Sequence, residues 1–281
     1  MTARPDSNGS FPGAPSRDPG VPRPPRARVL VTGASRRVGR ATVLELAHAG
    51  VEPVLTFRAR EDECRATARE AEEAARAAGF AVEPLVLPLD LSVAASVDAF
   101  LAALAPSVER RGLDAIVHNA SDYIVSPLDA CEGPALAALM ERAHRAEAVA
   151  PATITLALRG ALAKSAVAGG GAVVFFSDIY ALGKPRAGYL AYTVAKAGVR
   201  AMAEQLAVEL APAIRVHCVA PGVVAWAEGM DESTKAAVLS RTPLGRAGTP
   251  EDAAKLVRFL ILEAPYLTGG TITVDGGRSL R

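Results

Sequence analysis

Several things are scarce in this sequence, and each scarcity narrows its chemistry. Only three cysteines occur among 281 residues, Cys64, Cys131 and Cys218, at spacings that fit neither a metal site nor a paired framework. They read as buried or idle thiols. The four histidines, His48, His118, His144 and His217, form no ligand cluster, so no metal is expected. An excess of one charge is also lacking: 31 Lys plus Arg face 30 Asp plus Glu, net +1. That balance carries no global footprint for nucleic acid or an anionic membrane. No apolar run is long and pure enough to span a bilayer. No signal peptide is evident, and with so few cysteines the expected compartment is a reducing cytoplasm. Ser177 lies in no G-x-S-x-G elbow, and no Walker sequence occurs.

What remains is a chain built for a core. Half the residues are apolar and 22% are charged, which argues for packing over disorder. The length fits one large domain. Residues 1–27 stand apart, with Pro5, Pro12, Pro15, Pro19, Pro22, Pro24 and Pro25 among three glycines. Proline removes a donor and fixes φ, so this stretch reads as a solvated, disordered tail.

From Arg28 onward, short runs rich in Val, Leu and Ile alternate with longer amphipathic stretches. Strands are expected at Arg28–Thr32, Pro53–Phe57, Ala81–Leu87, Leu113–His118, Ala172–Ser177, Ile214–Val219 and Thr271–Val274. Most are apolar on both faces, the pattern of buried parallel strands. Glu61–Ala78 reads as a helix stopped by Gly79, and Pro134–Ala168 as one long helical segment before three glycines. The expected fold is α/β: residues 28–281 as one Rossmann-like domain, a doubly wound, parallel, seven-stranded sheet with helices on both faces.

Two local patterns point to chemistry. The first strand runs into Thr32-Gly33-Ala34-Ser35-Arg36-Arg37-Val38-Gly39. A strand, a glycine turn and a helix N-terminus together can cradle a pyrophosphate on backbone N–H groups. Far downstream comes Tyr192-Thr193-Val194-Ala195-Lys196. Residues four apart on a helix share a face. A phenol with an ordinary pKa near 10 is a poor acid–base group, and a nearby lysine cation is expected to lower that value.

Taken in order, the motifs resemble the short-chain dehydrogenase/reductase family. The turn resembles its TGxxxGxG string with Arg37 in place of the middle glycine, a variant similar to the pteridine reductase and dihydromonapterin reductase subgroup. The string His118-Asn119-Ala120-Ser121 is similar to the subgroup's HNAS segment, and Ala220-Pro221-Gly222 to the family's PG motif, with His217 where Asn is common. Val274-Asp275-Gly276-Gly277 resembles the family's closing strand. The resemblance implies coenzyme contacts from Gly33, Ser35, Arg36, Arg37, Val38, Gly39, Arg58, Asp90, Leu91, Asn119, Ala120, Tyr192, Lys196, Pro221 and Gly222. No carboxylate closes the second strand, where an NAD-selective site accepts from the ribose 2′-OH. Arg58 and Arg36 instead suit a 2′-phosphate, so NADPH is the expected coenzyme.

For substrate, the resemblance implies Arg37, Ser121, Tyr123 and Trp226, the last in an apolar lid over Val223–Gly245 that also holds Met230. The family's catalytic serine would stand 13 residues before the tyrosine, where this chain has Ile179; Asp178 is the expected third catalytic residue with Tyr192 and Lys196, and Ser177 the reserve. Glu147 stands where the family often has an Asn that links the lysine to solvent through water. The implied activity is hydride transfer to a C=N or C=O of a small molecule, a pterin or dihydropterin. A 3-oxoacyl or polyketide-type carbonyl reductase and a low-turnover NADP(H) sensor are the alternatives. A homotetramer or homodimer is expected by family habit.

Overall fold

A computed structural model describes residue 23 and residues 25–129, 131–226 and 229–281. Seven strands form one all-parallel sheet: β1 (Ala27–Val31), β2 (Val51–Phe57), β3 (Leu85–Pro88), β4 (Ala115–His118), β5 (Gly171–Phe176), β6 (Ile214–Pro221) and β7 (Thr271–Val274). Their order is β3-β2-β1-β4-β5-β6-β7. The chain winds outward from β1 in one direction and from β4 in the other. The gap between those two strands is therefore the switch point where ligands bind in open α/β sheets.

The helices are α1 (Arg37–His48), α2 (Glu61–Ala77), α3 (Ala94–Arg111), α4 (Gly133–His144), α5 (Ala150–Leu162), α6 (Leu190–Glu209), α7 (Glu232–Leu239) and α8 (Pro250–Leu262). They cover both faces because the strands alternate apolar side chains to each side. On one face Val29, Val31 and Val117 pack with Leu46 of α1, Ala71 of α2 and Leu260 of α8. On the other, Leu30, Ile116 and Val173 pack with Phe100 of α3, Ile154 of α5 and Leu206 of α6.

Four expectations shift. The tail was expected to run to residue 27, but Ala27 already opens β1, and Arg23 exchanges backbone hydrogen bonds with Gly79 and Ala81. The Arg23 and Arg26 guanidinium groups lie over the Phe80 ring, at 4.1 and 5.0 Å from its centroid, a cation–π contact that fixes this edge. Residues 1–22 and 24 lie outside the described residues. β3 opens at Leu85, later than Ala81, because Phe80 and Ala81 pair with Arg23 instead of the sheet. β2 opens early, at Val51, because Glu52 is buried as an ion pair with Arg28 at 3.0 Å and Arg111 at 2.5 Å.

The segment expected as one helix from Pro134 to Ala168 is three pieces: α4, a π-helical turn at Arg145–Val149, and α5. Pro151 explains the break. It lacks the N–H that would bond the Glu147 carbonyl four residues back, and its ring crowds that carbonyl. The ladder answers with i→i+5 bonds for one turn.

Candidate active site

A cleft of about 540 Å³ opens at the C-terminal ends of the strands. All the residues expected to bind or react line it: Gly33, Ser35, Arg36, Arg37, Val38, Gly39, Arg58, Asp90, Leu91, Asn119, Ala120, Ser121, Tyr123, Asp178, Tyr192, Lys196, Pro221, Gly222 and Trp226. The turn after β1 is held by close packing. Gly33 has φ +67°, and a Cβ on Gly39 would sit 2.1 Å from the Gly33 carbonyl oxygen, so only glycine lets α1 approach so near. Asn119 braces the same turn by donating from Nδ2 to the carbonyls of Thr32 (3.0 Å) and Gly33 (3.1 Å). The Thr32 hydroxyl accepts from the backbone N–H groups of Asn119 and Ala120. Sequence reading missed Thr32, whose role depends on a strand far along the chain.

Helix α1 begins with no side-chain cap and no acidic residue in its first turn. Its positive end is thus available to an anion in the cleft. Arg37 has φ +50°, a left-handed conformation that suits the glycine it stands in for. The Ser35 hydroxyl donates to the Arg60 carbonyl at 3.1 Å. Asp90 accepts from the N–H (2.9 Å) and hydroxyl (2.6 Å) of Ser92. Arg58 pairs with Asp122 at 2.8 Å, and Asp122 also holds Arg142 at 2.8 Å. These residues fit a phosphorylated dinucleotide: a capless helix N-terminus, a glycine cradle and arginines at the end of β2.

The reacting end is built from β5, β6 and α6. Tyr192 and Lys196 are both buried on one face of α6. The Tyr192 hydroxyl donates to Asp178 Oδ2 at 2.9 Å. Asp178 also accepts from the backbone N–H of Tyr180 at 2.8 Å, which caps the short turn Ile179–Leu182. Ser177, the reserve candidate, is buried and donates to the Lys196 carbonyl at 2.8 Å; its hydroxyl is committed to the backbone. Burial pushes the Asp178 carboxyl above its ordinary value.

Burial first, then the negative charges of Asp178 and Glu147, push the Tyr192 phenol up, against the lowering expected from Lys196. The ammonium is engaged elsewhere: Nζ lies 2.8 Å from Glu147 Oε2 and donates to the Phe176 carbonyl at 2.7 Å. Glu147 also accepts from the Ser121 hydroxyl (2.5 Å) and the Asp122 N–H (3.1 Å). Ser121, expected at the substrate, thus spends its hydroxyl on Glu147. Pro151, the signal for the turn that carries Glu147, was readable in the sequence.

The outer wall is aromatic. Tyr123 lies edge-on to Tyr192 at 4.9 Å between centroids and 4.7 Å from Tyr189. Arg186 sits over Tyr189 at 4.8 Å and donates to the hydroxyls of Tyr123 and Tyr180. Arg186 and Tyr189 carry no sequence signal that would have marked them. In the expected lid, Trp226 and Met230 line the cleft and α7 forms its far part; Ala227 and Glu228 lie outside the described residues.

A family model described as enoyl-(acyl carrier protein) reductase matches residues 33–279. The chain belongs to the short-chain dehydrogenase/reductase family. It is 28% identical to a dihydromonapterin reductase of Klebsiella pneumoniae, over 92% of this chain and 98% of that one. It is 31% identical to a 3-oxoacyl-[acyl-carrier-protein] reductase of Aggregatibacter actinomycetemcomitans, over 89% of this chain and 98% of the relative. A solved structure from Sinorhizobium meliloti 1021, assigned as a short-chain alcohol dehydrogenase, superposes with a TM-score of 0.78 at 26% identity, covering 90% of this chain and 96% of that one. The protein is an NAD(P)-dependent oxidoreductase of this family. Among the described residues, no helix is long and apolar enough to cross a membrane, and no group of His, Cys, Asp and Glu could hold a metal ion.

Proposed function

We propose that this oxidoreductase uses NADPH to reduce a C=N or C=O in a small planar heterocycle, a pterin or dihydropterin. The observation that carries the reading is the 2.9 Å hydrogen bond from Tyr192 to a half-buried Asp178, beside the Tyr123 ring. A carboxyl can read ring nitrogens, and a wall of Tyr123, Tyr189 and Arg186 offers flat faces on which a heterocycle stacks. Bound NADPH supplies the hydride. The α1 N-terminus, Arg36, Arg37, Ser35 and Val38 would hold its phosphates, and Arg58 with Arg36 its 2′-phosphate. Asp90 and Leu91 would meet the adenine, and Pro221 and Gly222 would flank the nicotinamide.

The Tyr192 phenol carries the proton that a reduction consumes. Tyr192 gives that proton to the substrate nitrogen or oxygen as the adjacent carbon gains hydride. In that step Asp178 starts protonated, a form its burial favours, and passes its proton to Tyr192 Oη as the phenol gives up its own, leaving the carboxylate. Lys196 holds its part of the site through Glu147 and the Phe176 carbonyl.

A second reading, a carbonyl reductase of the 3-oxoacyl type, is favoured by the apolar lid residues Val223, Val224, Trp226 and Met230 in the cleft and by the 31% identical relative. One assay separates them: NADPH oxidation with dihydrobiopterin, dihydromonapterin, dihydrofolate and an acetoacetyl thioester. Turnover of a dihydropterin above the thioester supports the first reading, and the reverse order overturns it. Tight NADPH binding without turnover of any substrate would return the sensor reading. Exposed Leu156 on α5 and Val194 and Val208 on α6 support a homotetramer or homodimer. Three free cysteines support a reducing, cytoplasmic setting.

A further inference from the structure

Two arginines, Arg186 and Arg278, meet at the reacting end of the cleft and line it. Arg186, in the loop before α6, lies over the Tyr189 ring at 4.8 Å and donates from Nη1 to the hydroxyls of Tyr123 (3.2 Å) and Tyr180 (3.3 Å). Arg278, in the short turn after β7, lies over the Tyr180 ring at 5.9 Å. Asp275 fixes that turn by accepting from the N–H groups of Gly277 (2.9 Å) and Ser279 (2.6 Å). Tyr180 is therefore the joint between two guanidinium groups that reach it from opposite ends of the sequence. Among the described residues, neither arginine forms an ion pair, whereas Arg40 pairs with Glu70 and Arg258 with Glu45. The cleft's carboxylates are already engaged: Asp90 by Ser92, Asp122 by Arg58 and Arg142, and Asp178 by Tyr192 and the Tyr180 N–H. Both bonds of Arg186 leave from Nη1. Among the described residues nothing accepts from its Nε–Nη2 edge, the edge whose parallel donors match a carboxylate or phosphate.

We propose that the substrate carries an anionic group, a carboxylate or a phosphate, on the arm that leaves its ring, and that Arg186 and Arg278 read that group. This rests on the reductase reading above and adds a charge to its substrate. The phosphates of the coenzyme are assigned to the other end of the cleft, at the α1 N-terminus and Arg58. Tyr123 links the reacting centre to the new subsite: its ring meets Tyr192 at 4.9 Å, and its hydroxyl accepts from Arg186. A ring stacked on Tyr123 beside Tyr192 thus has its arm one tyrosine's length from the arginines. Two like charges gathered on one tyrosine repel, and an anion between them removes that repulsion. Arg186 is exposed and Arg278 half-buried, so the attraction is screened by salt and serves chiefly to choose between substrates.

The experiment is calorimetric binding to the full chain saturated with NADP+, using three probes on one two-ring system: 2-naphthoate, 2-naphthyl phosphate and 2-naphthamide. At least one anion is expected to bind about tenfold tighter than the amide, the worth of one charge-assisted contact. Whichever anion leads identifies the group. That preference should shrink about tenfold in Arg186→Gln and in Arg278→Gln, and it should weaken as salt is raised. An amide bound as tightly as both anions overturns the proposal, as does a failure of all three probes to bind. So does an anion preference that survives both substitutions combined. A double variant whose NADP+ affinity falls as far as its affinity for the anion overturns it too, because the arginines would then serve the coenzyme. The titrations need no turnover. Inactivity toward every dihydropterin would therefore count against the heterocycle reading, while the anion preference is read on its own.

Discussion

Two histidines held neutral by the fold should make this protein acid-sensitive well before its carboxylates titrate. His118 ends β4, stacks on Phe175 at 4.8 Å and meets Thr155 Oγ1 at 2.9 Å; burial pushes it down to about 3. His217 lies inside β6, 1% exposed; burial, then the nearby Arg215 charge, pushes it down to about 4. In the unfolded chain both imidazoles take up a proton near pH 6.5. Between that pH and their native values, the unfolded state binds more protons, so stability falls as pH falls. The contribution is fully present above about pH 6.5. Going from pH 7.5 to 5.0, each imidazole should cost about 2 kcal/mol, about 4 kcal/mol together. For a domain of this size that lowers the melting temperature by roughly 8 °C. Asp178, raised by burial, titrates in the opposite sense, so the comparison to make is between proteins. Urea unfolding of wild type and His217→Asn at both pH values isolates one histidine. The variant should lose about 2 kcal/mol less than wild type over this interval. Equal pH slopes in the two proteins would refute the claim that His217 is held neutral.

Three further outcomes follow from packing and charge. Gly39→Ala puts a methyl 2.1 Å from the Gly33 oxygen and 2.7 Å from Asn119 Nδ2. It should destabilise by about 1–3 kcal/mol or more and abolish NADPH binding, read by thermal melts and fluorescence titration. Arg58→Ala removes the guanidinium proposed for the 2′-phosphate, a charge-assisted contact worth about 1.5–3 kcal/mol. Calorimetry should show NADPH binding weakened tenfold or more and NADH binding little changed; equal losses for both would place Arg58 elsewhere. Arg215 is buried and donates to the carbonyls of Gly169, Leu260, Ile261 and Ala264, tying β6 to the end of α8. Arg215→Leu strands those acceptors and should cost about 2–4 kcal/mol in denaturant unfolding.

The fold was legible because each strand carries a short run built on Val, Leu or Ile, and both-faces-apolar runs have few other homes. Boundaries were less legible wherever a partner from elsewhere decided them. Glu52 looks like a strand end until Arg28 and Arg111 neutralise it, and Ala81 looks like a strand start until Arg23 pairs with it. That these residues gather in one cleft was legible too, since a glycine turn, an Asn brace and a Tyr–Lys helix each leave a local mark. The partners of their side chains were not. Residues four apart on α6 must share a face, whatever surrounds them, so Tyr192 and Lys196 were certain to be neighbours. Which partners their polar ends take depends on Glu147, delivered from another helix by a proline that breaks its ladder, and on Asp178, presented by a loop whose length departs by one residue from the family spacing. Spacing along one helix decides which atoms can meet. The field they meet in is set by elements that the same spacing says nothing about: Glu147 takes the lysine's ammonium, and Asp178 takes the phenol's hydrogen bond.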